Sequence, residues 1–402
     1  MSKAMMASGY EKTIENKIYN IKKGIENDLY VFGPAFERAQ DGHSKYNGKD
    51  VVMLTSNNYL GLATHPEIKK SIKDAVEIYG SGTCGARLHN GTTKIHKELE
   101  GRCAEYFHTE DAVVLSAGYL ANVAGITALA DDSDTLIITD QLNHMSIVDG
   151  MEMSKGKVRI FEHNNMEKLE YILKKNQDNE KKLIVVDGVY SMDGDIAPLD
   201  QITRLAERYN ASVFVDEAHS LGFVGPTGRG ASELFNVEDK VHIKMTTFSK
   251  SLANVGGCLA SDKDTCLFIR HNAHQYIFNA SIPPAVAAGT LKAFDIMENE
   301  KWRVEKLWEN TIYFRKNLIE MGYNTLNSMS PIVPIYIGDD MINMKMTKRL
   351  LEEGIYIATA IYPAVPMNQS RLRATITASL SKEEIDFALK GLYKVGKEFQ
   401  IL

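Results

Sequence analysis

Four cysteines in 402 residues, Cys84, Cys103, Cys258 and Cys266, include no Cys-x-x-Cys pair. Their spacing suggests neither a disulfide framework nor a zinc site. No run approaches 18 consecutive apolar residues, so no segment is expected to span a membrane. The opening Met1-Ser2-Lys3-Ala4-Met5-Met6 soon meets Glu11, Lys12 and Glu15 without an apolar run, unlike a signal peptide, and a cytoplasmic location is expected. Excess positive charge is missing too. A net charge of -6 and a pI near 6.0 argue against nucleic acid as a partner. Absent as well is a phosphate loop of the form G-x-x-x-x-G-K-[ST], because Gly48-Lys49 and Gly156-Lys157 run into Asp50 and Val158. Asp216-Glu217-Ala218-His219 spells the metal-binding box of many helicases, but that box accompanies such a loop. Helicase chemistry is excluded. His219 has no second His or Cys at ligand spacing nearby, so no metal is expected.

What is present is an ordinary globular composition, 44% hydrophobic and 24% charged. Residues 8 to 28 carry apolar positions at helical spacing and read as a helical arm. Apolar strands then alternate with helical stretches: Ala112–Leu115, Thr135–Thr139, Val158–Phe161, Leu183–Asp187, Ser212–Asp216 and Ile243–Thr247. That alternation predicts an α/β fold with a mostly parallel sheet, and polar strand ends predict a ligand there. Past residue 290 the pattern becomes a long helix over 285–321, strands at 332–337, 356–360 and 372–377, a helix around 345–353 and a last helix from Lys382. The expected division is an arm over 1–49, a large domain over 50–290 and a smaller α+β domain over 291–402.

Chemistry concentrates at the strand ends. Asp216 closes an apolar strand, His219 follows three residues on, and Lys250 lies downstream in Thr246-Thr247-Phe248-Ser249-Lys250-Ser251. A carboxylate that keeps a pyridine nitrogen protonated and a lysine that holds an aldehyde are what a pyridoxal phosphate enzyme needs. Gly118 and Tyr119 follow a strand and open a helix, an arrangement suited to a phosphate and equally to a plain turn. His144 is either structural or a flat ring that stacks on the cofactor. Ser191, in Asp187-Gly188-Val189-Tyr190-Ser191-Met192-Asp193-Gly194-Asp195, is either a loop residue or a donor to the cofactor's phenolate oxygen. Asn57 with Arg371-Leu372-Arg373 would suit a carboxylate clamp, although each arginine taken alone reads as a surface residue.

These motifs, with Tyr79-Gly80-Ser81-Gly82-Thr83-Cys84-Gly85-Ala86-Arg87, Gly91 to His96 and Gly228-Arg229-Gly230, resemble the α-oxoamine synthase family of fold-type I pyridoxal phosphate enzymes. Its members include serine palmitoyltransferase, 2-amino-3-ketobutyrate CoA ligase, 8-amino-7-oxononanoate synthase and 5-aminolevulinate synthase. The resemblance runs from about residue 50 to the C-terminus. It implies a Claisen-type condensation of an amino acid with an acyl-CoA or acyl-carrier thioester, with decarboxylation in most members. It makes Lys250 the Schiff-base lysine and proton shuttle, Asp216 the partner of the ring nitrogen and His144 the stacking ring. His219 and Ser191 approach the phenolate oxygen, and Gly118, Tyr119 and Thr247 hold the phosphate. Asn57 and Arg373 hold the substrate carboxylate. It also implies a homodimer with shared sites, in which Ser281 completes the partner's phosphate site while Ala280 stands at the usual threonine position. Segments 247–257 and 271–278 look most like bacterial serine palmitoyltransferases. Ile361-Tyr362-Pro363-Ala364-Val365-Pro366 looks more like the ketobutyrate ligase and aminolevulinate synthase pattern, without the arginine that others place before the paired prolines. The rivals are another fold-type I enzyme, an aminotransferase or lyase, and a non-catalytic homologue; the intact Lys250 speaks against the latter.

Overall fold

The computed structural model describes residues 8–402; Met1–Met6, read above against a signal peptide, and the first seven residues of the expected arm lie outside them. Among the described residues the strands are β1 (His43–Tyr46), β2 (Lys49–Met53), β3 (Asp111–Leu115), β4 (Thr135–Asp140), β5 (Lys157–Phe161), β6 (Lys181–Asp187), β7 (Ser212–Asp216), β8 (Ile243–Thr247), β9 (Gly257–Ser261), β10 (Ile332–Gly338), β11 (Ile355–Tyr356), β12 (Ala358–Ala360) and β13 (Ser370–Thr375). The main sheet has seven strands in the order β3-β9-β8-β7-β6-β4-β5. β8, β7, β6, β4 and β5 run parallel, as the alternation with helices requires, and β9 lies antiparallel between β8 and β3.

Parallel strands covered on both faces need apolar residues at consecutive positions, which Leu183-Ile184-Val185-Val186 and Val213-Phe214-Val215 supply. One face packs on the helix Gly118–Leu129, and the other on Leu169, Leu173 and Ile202 from the helices Met166–Lys175 and Leu199–Arg208. All six strands expected from sequence are present. β9 was not expected: its five residues are buried throughout, so they show no alternation, and its first glycine reads as part of a turn.

Three expectations need correction. The helix expected over 285–321 is two helices, Pro284–Asn299 and Trp302–Met321. No proline or glycine marks the break. Arg303 donates to the Glu300 carboxylate at 2.7 Å and to the Leu60 carbonyl at 3.0 Å, fixing the corner through tertiary contacts that local sequence does not encode. The strand expected over 356–360 is two short strands in different sheets, β1-β2-β11 and β10-β13-β12. β2 is the parallel neighbour of β11, so residues 43–53 share a sheet with the C-terminal third of the chain, and Val52 and Leu54 pack against Ile355, Leu372 and Leu392. Lastly, Arg371 and Arg373 are not surface residues: at 2% and 8% exposure they are buried in β13. Of the stretch 8–28 read as helical, Ser8–Glu26 is a helix, while the end of the 1–49 segment forms β1 and begins β2. No described helix is long and apolar enough to cross a membrane.

Candidate active site

Strands β4, β6 and β7 end in Asp140, Asp187 and Asp216, with Asp187 and Asp216 in register. Above those ends lies a cleft of about 260 Å³, lined among others by Gly118, Tyr119, His144, Asp216, His219, Thr247 and Lys250. Residues from five motifs spread over some 130 positions thus meet where a parallel sheet presents its carboxyl ends, the usual ligand position of such sheets. A larger cavity of about 530 Å³ lies away from these residues, among Arg102, Tyr106, Arg229 and Met297. Its arginines are already paired, Arg102 with Glu105 and Glu298, Arg229 with Glu233 and Glu238.

Asp216 is fixed on both oxygens. Oδ1 accepts the Ala218 N–H at 2.8 Å and Oδ2 accepts Asn122 Nδ2 at 2.6 Å. Asn122 also donates to Ser146 Oγ at 2.8 Å, and that oxygen lies 2.7 Å from His144 Nδ1. The Ser146 N–H donates to the same His144 nitrogen at 3.2 Å, since His144 caps the helix Met145–Met153. Four side chains from three elements form one connected network. Burial lowers the pKa of His144, Asp216 works the other way and Lys250 adds to the lowering, so the ring is neutral. Burial, reinforced by the Asp216 charge, pushes Asp187 well above the usual carboxylate range.

Lys250 reaches the cleft from the turn after β8, and among the described residues its Nζ makes no hydrogen bond. Burial is the main reason its pKa falls to about 8; Asp216 opposes the fall and Arg373 adds to it. His219 is buried, with Nδ1 2.7 Å from the Tyr59 hydroxyl. Burial and the positive charges of Lys250 and Arg373 take it well below the ordinary histidine range, and burial raises Tyr59 to about 12. The first turn of the helix Gly118–Leu129 has no side-chain cap from Ala117, which leaves its backbone N–H groups open toward the cleft. A Cβ at Gly118 would lie 2.6 Å from Thr247 Cβ, so only glycine lets that turn approach β8. The Thr247 hydroxyl donates to the Gly256 carbonyl at 3.0 Å and lies 2.9 Å from Ser249 Oγ.

A cofactor with a phosphate, an aldehyde and a basic ring nitrogen fits these groups. An uncapped helix start and a hydroxyl face one end of the cleft, an unbonded lysine of lowered pKa lies within it, and a buried acid stands at the strand end. Two buried oxygens beside the cleft, Asn122 Oδ1 and Asp187 Oδ1, lack a partner among the described residues.

The remaining site candidates divide. Arg373 Nη1 lies 3.3 Å from Asn57 Oδ1, so those two come together; neither lines the cleft, but the Arg373 charge acts on Lys250 and His219. Ser191 is not among the side chains lining the cleft; its carbonyl accepts from Arg373 Nε at 2.6 Å. Ser281 also stands apart from this chain's own cleft, bonded to Thr83 at 2.7 Å, with its N–H donating to the Gly85 carbonyl. The Tyr119 hydroxyl meets Asp149, and its ring packs edge-on to His144 at 6.2 Å. Sequence reasoning passed over Asn122, Ser146, Tyr59 and Asp187. Each lies inside a motif that was singled out for another residue, and position within the motif was the only available signal. Glu217, the second acid of the helicase-like box, is structural: it is buried and accepts from the Ala231 and Ser232 N–H groups at 2.8 and 2.9 Å.

Residues 49–392 match the family Aminotransferase class I and II. The 8-amino-7-oxononanoate synthase of Thermoanaerobacter pseudethanolicus is 39% identical over 97% of this chain and 98% of its own. The serine palmitoyltransferase of Bacteriovorax stolpii is 39% identical over 94% of this chain and 90% of its own. Among solved structures, a serine palmitoyltransferase from S. paucimobilis superposes with a TM-score of 0.94 at 33% identity, over 97% of this chain and 99% of that one. Fold, cleft and likeness agree: this chain belongs to the aminotransferase class I and II family and, within it, to the α-oxoamine synthases, pyridoxal phosphate-dependent C-acyltransferases.

Proposed function

We propose that this protein condenses a small amino acid, serine, alanine or glycine, with an acyl-CoA, releasing CoA and carbon dioxide to form an α-amino ketone. The observation that carries this is the meeting, in one cleft, of Lys250 at lowered pKa with Asp216 and its Asn122–Ser146–His144 network. Pyridoxal phosphate, when bound, supplies an electron sink next to the reacting carbon. The chain does the rest. Lys250 bonds the cofactor's aldehyde and, with a pKa of about 8, moves the α-proton near physiological pH. Asp216, oriented by Asn122, keeps the ring nitrogen protonated, and neutral His144 covers the ring. Tyr59 fixes the ring of His219, which faces the phenolate side; Ser191, outside the lining of the cleft, would have to turn its hydroxyl inward to join it. Gly118, Tyr119 and Thr247 receive the phosphate. Arg373 and Asn57 hold the amino acid's carboxylate, which sets the α-hydrogen against Lys250.

In this proposal residues 50–290 are the cofactor domain and 291–402 the domain that delivers Arg373. The active unit is a homodimer working in the cytoplasm. The position of Ser281, bonded to Thr83 outside its own cleft, supports its use in the partner's phosphate site. A fatty acyl donor is supported by the stretch between β12 and β13. Residues 350–370 include no lysine or arginine, and they expose Tyr362 and Met367. The second reading, a donor ending in a carboxylate, is favoured by the 8-amino-7-oxononanoate synthases among the relatives. A matrix of glycine, alanine and serine against acyl-CoA chain lengths, read by CoA release, separates them. Turnover should climb from acetyl- through decanoyl-CoA, since each buried methylene is worth about 0.8 kcal/mol. Preference for acetyl-CoA with glycine, or for a donor ending in a carboxylate, would replace the fatty-acyl proposal. Turnover without any thioester would point to an aminotransferase or lyase.

A further inference from the structure

The turn Tyr190–Asp195 is gripped from two directions. It closes on itself through the Tyr190 N–H to the Asp195 carbonyl at 3.0 Å and the Gly194 N–H to the Tyr190 carbonyl at 2.9 Å. From β13, Arg373 donates to the Ser191 carbonyl at 2.6 Å and Arg371 to the Asp193 carboxylate at 2.7 Å. Strand alternation puts both arginines on one face. From the opposite side comes His163, in the loop between β5 and the helix Met166–Lys175. Its Nε2 lies 2.7 Å from Asp195 Oδ2 and its Nδ1 3.0 Å from Asp140 Oδ1. Asp140 belongs to another part of the cleft. It ends β4, accepts the Leu142 N–H at 2.8 Å and so shapes the loop that leads to His144. The His163 ring is further fixed edge-on against Tyr190 at 4.4 Å, and the adjacent Asn164 repeats the bridge, N–H to Asp140 at 2.8 Å and Nδ2 to Asp195 at 3.0 Å.

We propose that His163 is a positioning residue: bridging Asp140 and Asp195, it holds the His144 loop and the Ser191 turn in register, and through the turn it seats Arg373 for the amino acid's carboxylate. The proposal rests on the cofactor and carboxylate sites given above. A neutral imidazole carries one N–H and could donate to only one of the two acids, whereas the cation donates to both. Burial disfavours that cation, but the bonds and charges of Asp140 and Asp195 outweigh it and lift the pKa to about 10. The bridge is therefore doubly charge-assisted across the physiological range. Side chains 20% exposed for His163, 14% for Asp195 and 0% for Asp140 leave little room for water to replace it.

The test uses the full-length enzyme reconstituted with pyridoxal phosphate, wild type beside His163→Ala. Glycine, L-alanine and L-serine are titrated against the visible cofactor band. Expected for the variant are unchanged cofactor content, an unchanged band before titration, and an amino-acid midpoint raised by about tenfold or more, the scale of effect when a binding group is displaced. In steady state KM for the amino acid should rise far more than KM for the acyl-CoA. A midpoint within twofold of wild type overturns the proposal, and so does a rise matched by equal loss of cofactor, which would make His163 a general stabiliser. If His163→Ala does not fold, His163→Gln, able to donate to one carboxylate, takes its place; an intermediate midpoint is expected and an unchanged one is fatal. A wild type that never forms the visible band would instead overturn the cofactor site, and this proposal with it.

Discussion

The cofactor cleft and the neighbouring pair assigned to the substrate carboxylate are built in different ways. The side assigned to the cofactor rests on the main sheet: Asp216 ends β7, Thr247 ends β8, and Gly118 and Asn122 sit in the first turns of one helix. The side assigned to the substrate carboxylate is assembled from residues far apart in the chain. Asn57 and Arg373 are separated by 316 positions, and Arg373 comes from the three-stranded sheet β10-β13-β12. The first side holds its chemistry rigidly, in a network in which Asp216, Asn122, Ser146 and His144 fix one another. The second depends on how two sheets meet. Residues on the first side should therefore govern the chemical step, and residues on the second should govern amino-acid binding.

The sharpest break in that comparison is Lys250→Ala. Among the described lysines it alone lines the cleft, so the visible cofactor band and turnover should both vanish; a retained band would show that another amine bonds the aldehyde. Next comes Asp216→Asn, isosteric but uncharged. It should slow α-proton exchange on the bound amino acid by two to three decades, roughly 3–4 kcal/mol in barrier, with KM for the amino acid little changed. Near-normal exchange would detach the acid from the ring nitrogen. Arg373→Ala should do the opposite, raising KM for the amino acid by about 30- to 100-fold, as loss of a charged hydrogen-bond donor does, with the cofactor band intact. A fall confined to kcat would move Arg373 to the chemical side. Smaller again is Tyr59→Phe, which leaves His219 Nδ1 without its partner at a cost of about 1–3 kcal/mol in stability, read as a lower Tm.

The smallest effect is one of pH. Capture of the cofactor by the apo enzyme needs a neutral Lys250, and burial has lowered its pKa to about 8. Uptake should rise with pH, pass its midpoint near 8 and level off above it. A rise continuing toward the ordinary lysine range would mean that the amine is not buried in the cleft before the cofactor arrives.

Local chemistry explains how much of this was legible beforehand. β4, β6 and β7 are apolar runs closed by Asp140, Asp187 and Asp216, so those strands and their polar ends could be read directly from sequence. Lys250, Asp216, His144, His219, Thr247 and Gly118 all line one cleft. The parts that could not be read depend on distant contacts. β9 is hidden by uniform burial, the corner at Glu300 is set by Arg303, and β2 joins a sheet whose partner, β11, lies some 300 residues later. Taken from composition, both arginines of β13 read as surface residues, because lysines and arginines are almost never buried unless paired. Their partners, Asp193 and the Ser191 carbonyl, lie nearly 180 residues upstream.

The sequence by itself determined the α/β class, the parallel strands along the chain and the residue types that pyridoxal chemistry demands, because period, strand ends and motif spacing are properties of short segments. Only the tertiary structure decided that Asn122 and Ser146 join Asp216 to His144, that Tyr59 orients His219, and that His163 ties the turn of Ser191 to the loop of His144. Those are hydrogen bonds between side chains distant in sequence. Their strength depends on burial and on distances of about 3 Å, which no local pattern records.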